Sequence, residues 1–333
     1  MRRLRSVLVS LGLAAGLAAL ALSPVAATYP GGSNGRIAIA VRGAPGTANI
    51  FTLLPDGTGM RQLTTGTGFK LCPAYSADGR SIAYCSNLSG AFEIWTMRQD
   101  GTKQRQLTHL GGFATFPDFS PNGSKIAFSG SEGADPNSEI YVVNAQTGTG
   151  LRALTSCAAF GPGCHNDTPA WSPDGTKIIF SHTDDITANE DNINEQIWIM
   201  DANGRNQHPL TTGPAPKDQV PDWSPDGSKI AFTAGFYGSE GTWVMNADGS
   251  NPHQLSGCVA SDPSPCAQGD DWATAWSPDG TMIAFLRDLT AVGTNDRPVY
   301  LMNADGSNQH RITTDPVLPG VPAWQPSDVD EGD

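Results

Sequence analysis

One phrase recurs six times along this chain, and repetition at a spacing of roughly 45–55 residues restricts the fold to an array of similar units. The fullest copies run from Pro169 through Trp171, Asp174 and Gly175 to Phe180, and from Pro221 through Trp223, Asp226 and Gly227 to Phe232. Weaker copies begin at Pro73, Pro117 and Thr274. The sixth is split: Pro322-Ala323-Trp324 stands near the C-terminus and Ile37-Ala38-Ile39 near the N-terminus. A companion phrase alternates with the first, centred on Phe51, Trp95, Tyr141, Trp198, Trp243 and Tyr300 and closing in Leu107-Thr108 or a similar pair.

Each unit reads as four short strands. Pro-x-Trp forms the first, Ser-Pro-Asp-Gly a tight turn, Ile-x-Phe the second, and the companion phrase supplies the third and fourth. Proline presets φ in the turn, aspartate bonds the neighbouring backbone and glycine takes the left-handed dihedrals, so Asp174, Asp226 and Asp279 are turn formers and not catalytic groups. The same holds for the Asn-Ala-Asp-Gly runs at Asn246 and Asn303, which look like fragments of a calcium loop but recur at the turn between strands three and four. The 38 Gly and 25 Pro follow from this density of turns. A four-stranded sheet with two apolar faces must pack against neighbours on both sides, and only a closed ring satisfies every sheet. The expected fold is therefore all-β: a six-bladed β-propeller of four-stranded antiparallel blades, closed by pairing of the strand at Trp324 with the strand at Ile37.

The phrase Pro-x-Trp-Ser-Pro-Asp-Gly-x-x-Ile-Ala-Phe resembles the repeat of the TolB-like propeller family, over about residues 34–326. The resemblance implies a six-bladed ring. TolB itself carries an α/β domain ahead of its propeller, whereas the segment before the first repeat here reads only as a leader. Similar propellers also precede the catalytic domain of prolyl-peptidase-like enzymes, and no hydrolase domain follows these repeats.

Residues 1–27 have the basic head, apolar middle and small-residue cleavage site of an export signal, with an uncleaved anchor as the rival reading. Residues 28–327 form the propeller and residues 328–333 an acidic, frayed tail. The leader holds three of the 20 basic residues, so the rest carries 17 against 33 acidic ones, a net −16. Such a chain repels phosphate backbones and anionic lipid, which excludes nucleic-acid and membrane-surface binding. The expected localisation is exported: periplasmic, envelope or extracellular. In an oxidising compartment the six cysteines read as three disulfides, Cys72 with Cys85 across one strand pair, and Cys157–Cys164 and Cys258–Cys266 cinching short loops. Metal ligation is the competing reading, but no Cys-x-x-Cys occurs.

Variable-length links emerge on one face of a propeller, and that face is expected to carry function. Blades four and six have long links, whereas blade five between them has modest ones, so the expected site is a groove over blade five. Phe236, Tyr237 and Trp272 would be its apolar contacts, with Asp184, Asp185, Asp218, Asp270 and Asp271 giving it negative charge, joined by Glu190 and Asp191 on the rim. The alternative is that these are solvated loop residues. A metal set of His165, Asp167, His182, Asp184 and Asp185 is a second candidate, and the run from Asn189 to Asn192 would suit calcium. Gly31-Gly32-Ser33-Asn34-Gly35 matches a nucleophile motif in letters but has no strand before it and no helix after it. His109 and His253 have no acid-base partners in sequence.

The function expected from these residues is a monomeric, exported, non-catalytic platform for a protein, peptide or glycan partner, with no cofactor. The alternative is a propeller enzyme, lactonase-like or a glycan-cleaving hydrolase or lyase, using a metal or carboxylates at the channel mouth.

Overall fold

The computed structural model describes residues 33–160, 163–184, 194–212, 217–235, 240–257, 270–289, 297–314 and 320–327. The leader, Asp185, Glu190, Asp191, Phe236, Tyr237, the Cys258–Cys266 pair and the acidic tail lie outside the described residues. Among the described residues the elements are strands apart from one 3-10 turn at Cys157–Ala159, and no described helix is long and apolar enough to cross a membrane.

Blade one is built from β1 (Ser33–Arg42), β2 (Thr47–Leu53), β3 (Arg61–Gln62) and β24 (Ala323–Ser327). Blade two holds β4 (Gly68–Tyr75), β5 (Ser81–Ser86), β6 (Glu93–Arg98) and β7 (Arg105–Gln106); blade three holds β8 (Gly111–Phe119), β9 (Lys125–Glu132), β10 (Glu139–Asn144) and β11 (Arg152–Ala153). Blade four comprises β12 (His165–Trp171), β13 (Lys177–Thr183), β14 (Glu195–Asp201) and β15 (His208–Pro209), and blade five β16 (Lys217–Trp223), β17 (Lys229–Gly235), β18 (Gly241–Asn246) and β19 (His253–Gln254). Blade six holds β20 (Asp270–Trp276), β21 (Met282–Asp288), β22 (Val299–Asn303) and β23 (His310–Arg311). Within each blade neighbouring strands are antiparallel, and short parallel pairings, such as Glu195 with Lys217, link adjacent blades.

The ring closes as the split repeat requires. β24 pairs antiparallel with β1, with Trp324 opposite Ile37 and Ala323 opposite Ala38, so the first strand of blade one comes from the far end of the chain. Six apolar clusters fill the six seams. The closing one joins Ile37, Ile39 and Leu53 of blade one to Ala284, Leu286 and Leu301 of blade six, and Trp324 Nε1 donates to Ala275 O of blade six at 3.2 Å. Each large buried side chain contributes roughly 1.5–3 kcal/mol.

The repeat residues do the local work their chemistry suggests. In every complete Ser-Pro-Asp-Gly copy the serine hydroxyl donates to the aspartate, as in Ser172 to Asp174 Oδ1 at 2.6 Å, and the aspartate accepts the backbone N–H two residues on. The threonine closing the companion phrase accepts a third-strand N–H, as Thr108 does from Ile94 at 2.9 Å. The glycine of each three-to-four turn touches the preceding blade: a side chain at Gly249, whose φ is +82°, would meet Leu210 O at 2.6 Å. Gly57 makes the same approach to Ile312 of blade six, so the seam pattern runs the whole way round.

One irregularity was not anticipated. The residue before the Pro-x-Trp position is left-handed in five blades, at Cys72, Phe116, Thr168, Val220 and Ala273, and the first strand slips register against the second there. The kink turns an N–H toward the previous blade. Thr168 donates to Ser129 Oγ at 2.9 Å, Val220 to Ser181 Oγ at 3.1 Å and Ala273 to Thr233 Oγ1 at 3.2 Å.

The same kink bears on one expected disulfide. It places Leu71, not Cys72, directly opposite Cys85 in the ladder, yet Cys72 Sγ and Cys85 Sγ lie buried and 2.7 Å apart, closer than non-bonded sulfurs approach. In the reduced state burial raises the Cys85 pKa well above the usual thiol range, and contact with Cys72 adds to it. Peptide mapping without reductant should therefore recover a Cys72–Cys85 crosslink. Alkylation of both cysteines on unfolding without reductant would show two free thiols instead. Cys157–Cys164 is a disulfide, bridging a seven-residue separation, and fits an oxidising compartment.

Candidate functional site

Glu195, Asp218, Glu240, Asp270 and Asp288 of blades four to six gather on one rim of the ring, beside the buried Lys217. β14 and β16 begin side by side, pairing Glu195 with Lys217, and Lys217 is only 5 % exposed. Asp218 follows it in β16 and is also buried. Glu240 stands just before β18, and its carbonyl accepts the N–H of Asp271 at 3.1 Å, bringing blade six against blade five. Asp270 faces Asp288 across β20 and β21, and Arg297 donates to Asp288 at 2.8 Å.

The rim holds protons near neutrality. Desolvation pushes the Glu195 carboxyl up to about 8, with Asp167, Glu240 and Asp218 adding repulsion and Lys217 opposing it. Desolvation likewise brings Glu240 to about 7, against the pull of Lys217, and Asp218 to about 6, partly offset by the Thr211 hydroxyl. Asp270 is raised by burial, and Asp288 and Asp271 add to it, while a backbone bond at Glu240 opposes it. An approaching cation would favour the ionised forms, so the rim can exchange protons for positive charge.

Several residues expected at the groove have other tasks. Asp271 is not on the rim: it is fully buried, and Arg287 grips it through Nε at 2.6 Å and Nη2 at 2.7 Å while lying over the rings of Phe285 and Tyr300. Position on an alternating strand explains this, since Asp271 projects to the opposite side from Asp270. Trp272 is partly buried against the seam between blades six and one. Asp184 is exposed and accepts from His182 Nε2 at 2.9 Å.

The expected metal set is split. His182 is buried, bonded to Asn166 Oδ1 through Nδ1 at 2.8 Å and packed against Phe160 and Trp198. Asn166 stands between His165 and Asp167 in β12, so alternation sends those two to the other side. They pair with each other at 3.5 Å, and this contact with Asp167 raises the His165 pKa. Among the described residues no cluster of three or more His, Cys, Asp or Glu is placed to hold a metal ion.

A second acidic feature lies in the central channel, a cavity of about 150 Å³ lined by the Pro-x-Trp residues. Its middle position is Ala in blades one, two, four and six but Asp118 in blade three and Asp222 in blade five. Trp171 N–H donates to Asp118 and Trp276 N–H to Asp222, both at 2.7 Å, so each carboxyl ties its blade to the next. Desolvation pushes both up to about 7. Asp118, Asp222, Glu195, Lys217 and Glu240 were missed as candidates in the sequence. The signal for the first two was a charge at a position the repeat otherwise fills with alanine.

Residues 23–190 and 137–274 match the TolB beta propeller domain, together more than half of the chain. The chain belongs to the TolB β-propeller family. A TolB homolog from Protochlamydia amoebophila is 37 % identical over 81 residues, covering 24 % of this chain and 16 % of that protein. The crystal structure of TolB from Acinetobacter baumannii superposes with a TM-score of 0.69 at 22 % identity, covering 88 % of this chain and 67 % of the other. Oligogalacturonate lyase in complex with manganese superposes with a TM-score of 0.52 at 14 % identity, over 86 % of this chain and 74 % of that one. At these identities the superpositions show a shared TolB-like fold and nothing of the chemistry.

Proposed function

We propose that this propeller is an exported, non-catalytic platform whose rim over blades four to six binds a cationic segment of a protein or peptide partner. The observation carrying this reading is the Glu195, Asp218 and Glu240 group around Lys217, whose carboxyls are held partly protonated until a positive charge arrives. Two flanking links, on blades four and six, are long enough to wall the rim. Family membership supports a binding role in general, and the lyase-like fold leaves a propeller enzyme as the competing reading.

A lysine-rich peptide titrated into the full chain should bind more tightly as pH rises from about 6 to 8.5, because ionisation of Glu195 and Glu240 then costs less. Calorimetry in buffers of different ionisation heat should register proton release. The double variant Glu195→Gln with Glu240→Gln should weaken binding by about tenfold or more, roughly 1.4 kcal/mol, whereas Asp248→Asn with Asp305→Asn on the opposite face should leave it unchanged. Equal weakening by both pairs would reduce the effect to the general charge of the chain and defeat the reading.

A further inference from the structure

The charge of this ring is unevenly shared. Residues 33–153, spanning most of blade one with blades two and three, hold ten Lys and Arg against eight Asp and Glu, while residues 154–327 hold seven against 21. Three of these ten bases line one place, a crevice of about 460 Å³ between blades two and three on the short-turn face, opposite the acidic rim. Arg98, Lys103 and Arg105 line it from blade two, and the turn at Asn122 and the backbone near Ala145 from blade three. Its size falls within the roughly 300–1,000 Å³ typical of small-molecule pockets.

Comparison among the repeats sets Arg98 and Lys103 apart, whereas the position of Arg105 is also arginine in blades one and three, at Arg61 and Arg152. Counted from the Gly of the three-to-four turn, the positions of Arg98, Lys103 and Arg105 are Asp201, Asn206 and His208 in blade four. They are Asn246, Asn251 and His253 in blade five, and Asn303, Asn308 and His310 in blade six. The middle position is left-handed in all four blades, with φ of +56° at Lys103 and +56° to +57° at the three asparagines. Asparagine adopts that conformation more readily than lysine, so blade two keeps a less relaxed residue where the repeat offers a better suited one. Arg105 is anchored by donation from Nη2 to Ala145 O at 2.9 Å, which fixes one cation across the seam. Asp78 also lines the crevice, but its Oδ1 is turned into its own turn, accepting from Ser76 Oγ at 2.6 Å and Arg80 N–H at 3.1 Å.

We infer that the crevice between blades two and three is a second binding site, for a sugar-sized ligand carrying a phosphate or sulfate group, held by Arg98, Lys103 and Arg105. The tetrahedral anion takes the guanidinium and ammonium donors, and the hydroxyls of the sugar meet the polar turn edges at Asn122 and Gln146. This site does not depend on the rim described above, because it faces the other way and recognises the opposite charge.

The full chain is titrated with glucose 6-phosphate, glucose 6-sulfate and glucose, following backbone amide shifts of blades two and three. At least one ester should bind saturably below about 10 mM while glucose does not, and the ester preferred tells phosphate from sulfate. The variant Arg98→Asn with Lys103→Asn restores residues the repeat itself uses, so it should fold, with a melting midpoint about 2 °C higher from relief of the left-handed lysine. Ester affinity should fall tenfold or more in that variant. Failure of both esters to bind, equal binding of glucose, or an affinity unchanged in the folded variant would overturn the inference.

Discussion

Replacing Asp118 and Asp222 with asparagine should stabilise the protein at pH 8 and leave it unchanged near pH 4. Each carboxyl has a folded pKa of about 7, against about 3.9 in an unfolded chain. Between these values the folded state keeps a proton that the unfolded state has released, so stability falls as pH rises from about 4 to 7 and levels off above. Three units correspond to about 4 kcal/mol, and the partial opening of both groups to the channel lowers the expected gain to about 2–4 kcal/mol for each site. The asparagine carbonyl still accepts the Trp171 or Trp276 N–H, so the blade-to-blade bond survives. Asp222 also repels Asp118, so the double variant should gain less than the two single gains together. Urea unfolding from about pH 4 to 8.5 measures this. A wild-type stability that rises over that range, or variants that track its slope, would refute the assignment. Glu195, Asp218 and Glu240 are shifted in the same direction, so a shallower slope of the same sign should remain in the double variant.

Asp271→Ala should have the opposite effect, destabilising the protein by about 3–5 kcal/mol. The loss comes less from the vanished pair than from what remains: Arg287, its guanidinium over the Phe285 and Tyr300 rings, would keep a buried charge answered by the neutral Gln309 Oε1 at 3.0 Å and the Tyr300 side chain instead of a carboxylate. Removing both charges with Asp271→Ala and Arg287→Met should recover most of the loss, since an apolar pair leaves nothing unpaired. Chemical denaturation of the two variants decides the matter. A double variant no more stable than Asp271→Ala would mean that Arg287 is held chiefly by its ring contacts.

The architecture was legible because the repeats spell it. Trp324 and Ile37 belong to two halves of one phrase, and the strand pairing that rejoins them needs no information beyond the break. The turn aspartates were equally readable, since a Ser-Pro-Asp-Gly run performs the same bonds wherever it falls. The site was harder for a physical reason. Whether Asp270 or Asp271 faces solvent depends on which side of a strand each occupies, and a link of uncertain length hides that phase. Cys72 and Cys85 show the same limit in milder form: symmetric spacing about a turn predicts direct opposition, but the left-handed kink at Cys72 shifts the register and puts Leu71 opposite Cys85, with the two sulfurs still 2.7 Å apart. Glu195, Lys217 and Glu240 are ordinary surface residues in sequence and become a cluster only when blades four and five meet.

The clasp between β24 and β1 also governs the order in which the molecule can be finished. The strand beginning at Ser33 has no hydrogen-bonding partner on one edge until residues 323–327 exist, so during translation it waits for nearly the whole chain. At about 5–20 residues per second that interval is on the order of 15–60 s, during which an apolar edge stays open to other nascent chains. A ribosome-stalled chain lacking its last strand should accordingly depend on holdase chaperones to a degree that the released, circularised protein does not.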